Sequence, residues 1–197
     1  MLSDILHMII YTLGALFLVV VILRFLLQVV RADFYNPISQ GIVKATMPLL
    51  KPLRKIIPSA GGIDFASVVL ILLVQVAATY LLALVHGLMA VMVNPLLVLA
   101  WGFVGALTMV SNIFFWSLII SIIGSFVAPF SSNPILTLAN QIINPLSAPL
   151  RKLIPPIGGV LDLSPIFIFL GLKVADMLII KLAIFLQVSP QLVLGYW

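Results

Sequence analysis

The chain has 197 residues, 63% of them hydrophobic and 8% charged, with a mean hydropathy of +1.33. That leaves too little polar surface for a soluble globule and places the chain in a bilayer. The formal net charge is +5, all acidic residues are Asp and there is no Cys, so disulfide frameworks, thiolate metal sites and cysteine nucleophiles are excluded.

In chain order, apolar runs near the ~20 residues a helix needs to cross the hydrocarbon fall at about 5–30, 65–93, 96–129 and 165–188. The first carries Asp4 and His7 instead of a basic leader and has no small-residue cleavage site, which predicts a retained anchor. The segment 36–58 opens with Asn36 as an N-cap and Pro37 at the first helical position. Ile38, Ile42, Ala45, Leu49, Leu53 and Ile56 then recur at helical spacing with Lys44, Lys51 and Lys55 opposite, which predicts an amphipathic helix lying in the membrane surface. Pro48 and Pro52 predict a break into two short pieces. Gly61-Gly62 supplies a sharp turn back toward the bilayer, and Asp64 follows where a carboxylate meets the positive end of the second span.

The second span carries Gln75, with Thr79 and His86 on the same face. Asn94-Pro95 separates it from the third run, which is long for one crossing. Tilt or overhang is expected there, because a split into two helices would put Arg151 and Lys152 on the opposite side from the first basic loop. Within it Ser117, Ser121 and Ser125, and Gly102 with Ala106, form small-residue stripes that favour close helix packing. The segment 133–155 repeats the in-plane pattern, with Asn133-Pro134 at its start and the stripe Ile135, Leu138, Ile142 and Leu146. Asn140, Gln141 and Asn144 replace the lysines, so this outer face is suited to touching protein more than lipid headgroups.

The last span begins beyond Asp162, with Ser164-Pro165 as a competing cap. Arg54 and Arg151 are expected to reach Asp64 and Asp162 respectively, the alternative being contact with lipid phosphates. Lys173 corresponds to Gln75 and has Asp176 three residues on, so these three form a candidate intramembrane polar site, either functional or a neutralised structural pair. Lys181 and Arg24 are placed to snorkel at opposite interfaces. His7 and His86 can meet near the outer surface, a weak metal or haem suggestion without a third ligand. No nucleophile elbow, phosphate loop or carboxylate pair is present, so the chain is predicted to be no enzyme and to hold no cofactor or metal.

Lys and Arg concentrate in the first and third connections, which the positive-inside bias makes cytoplasmic. Both termini are then periplasmic, with Tyr196 and Trp197 in the outer interfacial belt of a bacterial inner membrane. The basic connections also repeat. A shift of 97 superimposes Asn36-Pro37-Ile38 on Asn133-Pro134-Ile135, Pro48 on Pro145, Pro52-Leu53-Arg54-Lys55 on Pro149-Leu150-Arg151-Lys152, Pro58 on Pro155 and Gly61-Gly62 on Gly158-Gly159. After the extra Leu161, a shift of 98 pairs Asp64 with Asp162. The expected fold is an all-α membrane protein with four transmembrane helices in two parallel repeats of span, in-plane amphipathic helix, span. The repeats cover 1–93 and 96–190 and are related by a pseudo-twofold along the membrane normal.

NPISQGIVKATMPLLKPLRKIIPSAGGID and NPILTLANQIINPLSAPLRKLIPPIGGVLDLSP resemble two copies of the repeat of the YggT family, the YlmG-type membrane proteins of bacteria and plastids. The resemblance implies no enzymatic activity. It implies instead roles in cell-envelope and division-site organisation, plastid nucleoid distribution, membrane-complex assembly and osmotic tolerance. Residues and resemblance together point to a non-catalytic organiser or assembly factor. Such a protein presents Lys44, Lys51, Arg54, Lys55, Arg151 and Lys152 to anionic lipid or to a protein partner, can self-associate, and binds no nucleic acid directly. The rival reading is a small ion or solute channel with Gln75, Lys173 and Asp176 along its path. A peripheral haem or quinone site during complex assembly is a third.

Overall fold

A computed structural model describes residues 1–88, 93–127, 131–154 and 162–196. Among them are six helices: α1 (Leu2–Val29), α2 (Pro37–Ile56), α3 (Phe65–Val85), α4 (Pro95–Val127), α5 (Pro134–Leu153) and α6 (Ser164–Phe185). α1, α3 and α4 are each long and apolar enough to cross a membrane. α6 has 22 residues and carries Lys173, Asp176 and Lys181 within them. The third apolar run is one unbroken helix of 33 residues, about 50 Å at 1.5 Å per residue, so it outreaches the ~30 Å of hydrocarbon. Its far end meets α5, where Gly124 leaves room for Leu136.

α2 and α5 start as their sequences dictate. The Asn36 side chain accepts from the Ile38 N–H at 2.9 Å, and Asn133 accepts from the Ile135 N–H at 2.8 Å. Pro37 and Pro134 occupy first-turn positions whose N–H would have had no helical partner. The expected break at Pro48 and Pro52 does not occur, since α2 runs continuously through both and α5 through Pro145 and Pro149. The reason is register. Prolines four apart lie on one face, and all four are exposed, so the carbonyls they leave unpaired face outward where polar surroundings can satisfy them.

The buried face of α2 also differs from the expected stripe. Ser39, Ile42, Thr46 and Leu50 are buried, whereas Ala45, Leu49 and Ile56 are exposed. The polar members of the bundle-facing row are small. Thr46 returns its hydroxyl to the Ile42 carbonyl at 2.8 Å and so costs little when buried. Beyond α2, Gly61 and Gly62 adopt φ of +62° and +82°, and Ala60 and Ile63 exchange backbone hydrogen bonds across them at 3.2 and 3.0 Å. A side chain at either glycine would be strained. The corresponding Gly158-Gly159, with Pro155 and Leu161, lies outside the described residues.

α1 packs along α3, α3 along α4, and α4 along both α5 and α6, while α6 makes no contact with α1. The core is centred on Leu18, Val21 and Ile22 of α1, Leu70 and Leu82 of α3, and Trp101 and Met109 of α4. Completing it is a segment that the apolar runs did not reveal. Past α6 the chain turns at Gln187, with φ of +53°, and Leu192, Val193 and Leu194 re-enter the bundle and are fully buried. Tyr196, expected at the outer interface, is half-buried against this core. Trp197 lies outside the described residues.

Candidate functional site

At the α2/α5 end of the bundle each PLRK corner closes on an Asp. Arg54 donates through Nε, at 3.2 Å, and through Nη2 to the same Oδ2 of Asp64, which also accepts the Ser67 hydroxyl at 2.7 Å. Asp64 is only 1% exposed and Arg54 33%. Arg24 of α1 is close enough to feel both charges. Burial alone would raise the Asp64 carboxyl, but the bonds from Arg54 and Ser67 and the arginine charge outweigh it and hold it below the usual carboxylate range. The expected cap is not made by this side chain: Ser67 N–H goes to the Asp64 carbonyl at 3.0 Å, and Oδ1 has no partner among the described residues. Asp64 Oδ2 instead meets the first turn of α3 through the Ser67 hydroxyl.

The second corner is looser. Arg151 Nε donates to Asp162 Oδ2 at 2.7 Å, and Asp162 Oδ1 accepts the Ser164 N–H at 2.8 Å, so this carboxylate does meet the first turn of α6. The Ser164 hydroxyl is buried without a partner among the described residues and does not compete. The pair is more open, at 53% and 26% exposure. Here too burial raises the Asp162 carboxyl while hydrogen bonds from Ser164 and Arg151 bring it below its ordinary value.

Around these corners Lys44, Lys51, Lys55 and Lys152 are all exposed. Lys44 and Lys51 border a shallow groove floored by Phe34, Val43 and Met47. α5 lines a more polar hollow of about 480 Å³ with Thr137, Asn140, Asn144 and Arg151, where Ser121 of α4 donates to Asn140. α2 and α5 touch. Asn36 Nδ2 donates to the Pro134 carbonyl at 2.9 Å, and the Asp33 N–H donates to Gln141 Oε1 at 3.1 Å. Asn36 therefore serves its own helix and its counterpart at once, a double role that the capping pattern alone does not announce.

The candidate intramembrane residues separate instead of converging. Gln75 is fully buried, and its Nε2 donates to the Leu194 carbonyl at 3.0 Å while its Oε1 accepts the Leu194 N–H at 3.2 Å. It holds the C-terminal segment by both peptide groups. Tyr11 of α1 accepts the next N–H, from Gly195, at 3.2 Å, and Trp101 donates to the Leu186 carbonyl at 2.9 Å. Gly105 makes the space, since a Cβ there would lie 2.4 Å from Val193 and 3.0 Å from the Leu194 carbonyl. Gln75 thus belongs to a packing site and not to a shared site with Lys173; Thr79 on its face is buried with its hydroxyl unpartnered among the described residues.

Lys173, 48% exposed, donates to Asp176 Oδ2 at 3.1 Å, and its ammonium sits 4.9 Å from the Phe115 ring centroid. Asp176 Oδ1 takes the hydroxyl of Ser111, a residue unremarkable in the sequence. His7 and His86 are joined by a 2.9 Å hydrogen bond between Nδ1 and Nε2. Among the described residues, no group of three metal-ligating side chains assembles.

Comparison with known proteins agrees with the duplicated corners. A model of the CCB3/YggT family matches residues 3–85 and again 100–183. The chain is 51% identical to an uncharacterized protein of Pseudomonas aeruginosa over 93% of its own length and 92% of that protein's. It is 42% identical to one from Vibrio alginolyticus, over 85% of this chain and 89% of the relative. With the uncharacterized protein YggT of Escherichia coli it shares 34% identity over 92% of each. No solved structure matches.

Proposed function

The chain belongs to the CCB3/YggT family, and from that premise we propose that it is a non-catalytic membrane organiser or assembly factor. Its two basic corners face the cytoplasm from the inner membrane of a bacterium. In this reading α1, α3, α4 and α6 are four spans in two parallel repeats, 1–93 and 96–190, with both termini periplasmic. Contact between the starts of α2 and α5 supports a common side for the two in-plane helices. The charges of α6 do not argue against a fourth span, because Lys173 and Asp176 neutralise each other and Lys181 lies within reach of the outer interface.

The observation that carries the proposal is the way charge is divided at each corner. The arginines and aspartates are consumed in pairs that fix the chain's turn, while Lys44, Lys51, Lys55 and Lys152 remain exposed beside them. A rigid frame holding free cations suits anionic headgroups or an acidic protein surface, with juxtamembrane cations each contributing ~1 kcal/mol toward an anionic leaflet. The α2 groove, with Lys44 and Lys51 over Phe34, Val43 and Met47, matches an anionic lipid. The hollow beside α5, uncharged apart from Arg151, suits a protein partner. Filling of the Gln75 cleft by Leu192–Leu194 favours an organiser over a conductor, since it occupies the interior that a path would need.

The test is purification in native lipid of wild type and of Lys44→Gln/Lys51→Gln/Lys55→Gln/Lys152→Gln, which spares both ion pairs. Loss of co-purifying anionic lipid or of a specific protein is the expected result. Unchanged company, together with cation flux in proteoliposomes that Lys173→Met abolishes, would overturn the reading in favour of conduction.

A further inference from the structure

Under the pseudo-twofold relation Gln75 and Lys173 are equivalent, yet their surroundings are treated oppositely. The cleft at Gln75 is closed by the chain's own C-terminal segment. Its counterpart at Lys173 is left open because α6 does not reach α1. There a lateral cavity of about 600 Å³ runs between α1 and α4, walled by Leu23, Ile113, Phe115, Trp116 and Ile120, with Lys173, Asn112 and Ser117 as its polar groups. Its size falls within the ~300–1,000 Å³ typical of small-molecule sites, and its lining of aromatics with few polar groups is the usual one.

Three properties narrow the occupant. Lys173 is nine residues beyond the start of α6, about 14 Å at the helical rise, which is close to the centre of a ~30 Å hydrocarbon layer. A phosphate-headed lipid keeps its head at the interface and does not bring it to that depth. The ammonium is already balanced by Asp176, so the site is neutral overall and selects a neutral acceptor over an anion. Among the described residues Asp176 is its one hydrogen-bond acceptor, which leaves N–H groups of a mid-membrane ammonium to be satisfied. Phe115, whose ring lies under the ammonium, and the exposed Trp116 line the same cavity.

We propose that this cleft binds a membrane-dissolved ring ketone with an apolar tail, of the quinone class, entering from the bilayer between α1 and α6. A ring carbonyl accepts from Lys173, the ring lies against Phe115 and Trp116, and the tail leaves along Leu23 and Ile120. The proposal rests on the four-span reading for its depth. It adds a small-molecule ligand to a protein otherwise read as an organiser.

The experiment uses the full chain in lipid nanodiscs and a photoactivatable azido derivative of decylubiquinone, competed with unmodified decylubiquinone. Saturable, competable crosslinking mapped to 109–120 is expected. It should weaken roughly tenfold or more in Lys173→Met, as loss of one charge-assisted hydrogen bond implies, and disappear in Leu23→Trp, which fills the cavity without touching the ion pair. Crosslinking that does not saturate, maps elsewhere or is equal in all three proteins means partition into lipid and overturns the proposal. Impermeant maleimide labelling of Gln187→Cys checks the four-span reading separately. Labelling from the side opposite Lys152→Cys with no saturable crosslink overturns the quinone site alone, whereas labelling from the same side overturns the depth argument with it.

Discussion

The two halves of this chain solve one problem in two ways. At the first corner Asp64 is sealed, held by Arg54 and Ser67; at the second, Asp162 is partly open, held by Arg151 and the start of α6. The same contrast recurs higher up, where Gln75 is locked against Leu194 and Lys173 is left facing a cavity. The first half has become scaffold, and the second has kept its polar groups accessible. A duplicated sequence therefore need not mean a duplicated site.

The largest effect that would break this contrast is expected at the Gln75 cleft. Gln75→Leu keeps the size and removes both partners of Leu194. Two orphaned peptide groups at ~1–3 kcal/mol each should lower stability by roughly 2–5 kcal/mol. Thermal unfolding in detergent measures this, and the C-terminus should become open to carboxypeptidase. Gly105→Ala should expose the same segment by steric displacement, because the added Cβ would lie 2.4 Å from Val193, 2.5 Å from the Gln75 amide nitrogen and 3.0 Å from the Leu194 carbonyl.

The corners come next. Breaking the sealed pair with Asp64→Asn should cost about 3 kcal/mol, as for other buried pairs that lose one partner, whereas Asp162→Asn should cost about 1 kcal/mol or less. Equal losses in a melting comparison would erase the distinction between the halves. Acid sharpens it. Because the folded Asp64 carboxyl lies below its ordinary value, the stability it contributes is complete above about pH 4 and drains away as the pH falls further. The apparent melting temperature of wild type should drop through that window, and Asp64→Asn should flatten the drop more than Asp162→Asn does.

The smallest effect on folding belongs to the lysines. Lys44→Gln and Lys51→Gln should change stability by less than ~0.5 kcal/mol, yet reduce retention of anionic lipid, measured by native mass spectrometry, by ~1 kcal/mol each. Matching losses from Asn140→Ala and Asn144→Ala on α5 would show that the two helices do not differ in what they face.

Much of this architecture can be read from residue order, because its signals are local. Asn-Pro starts, the Gly61-Gly62 turn and basic corners each act within a few residues, and the repetition made them unmistakable. The proline break failed because spacing, and not proline content, decided the outcome: Pro48 and Pro52 share one exposed face of a single helix. The role of Gln75 was illegible for a different reason. Its partner lies 119 residues away in a short segment whose composition matches any other apolar stretch, and the only hints were small residues at Gly14, Gly105 and Gly195. Ser111 and Ser67 likewise became meaningful only when folding brought a carboxylate to them.

The chain has no Cys of its own, so single cysteines at Lys55 and Lys152 report cleanly on which side each corner lies. In intact cells, both are predicted to resist a membrane-impermeant maleimide and to react fully once the inner membrane is inverted or opened. Reaction of either position from outside, while the other stays protected, would contradict the parallel arrangement and with it a common basic face.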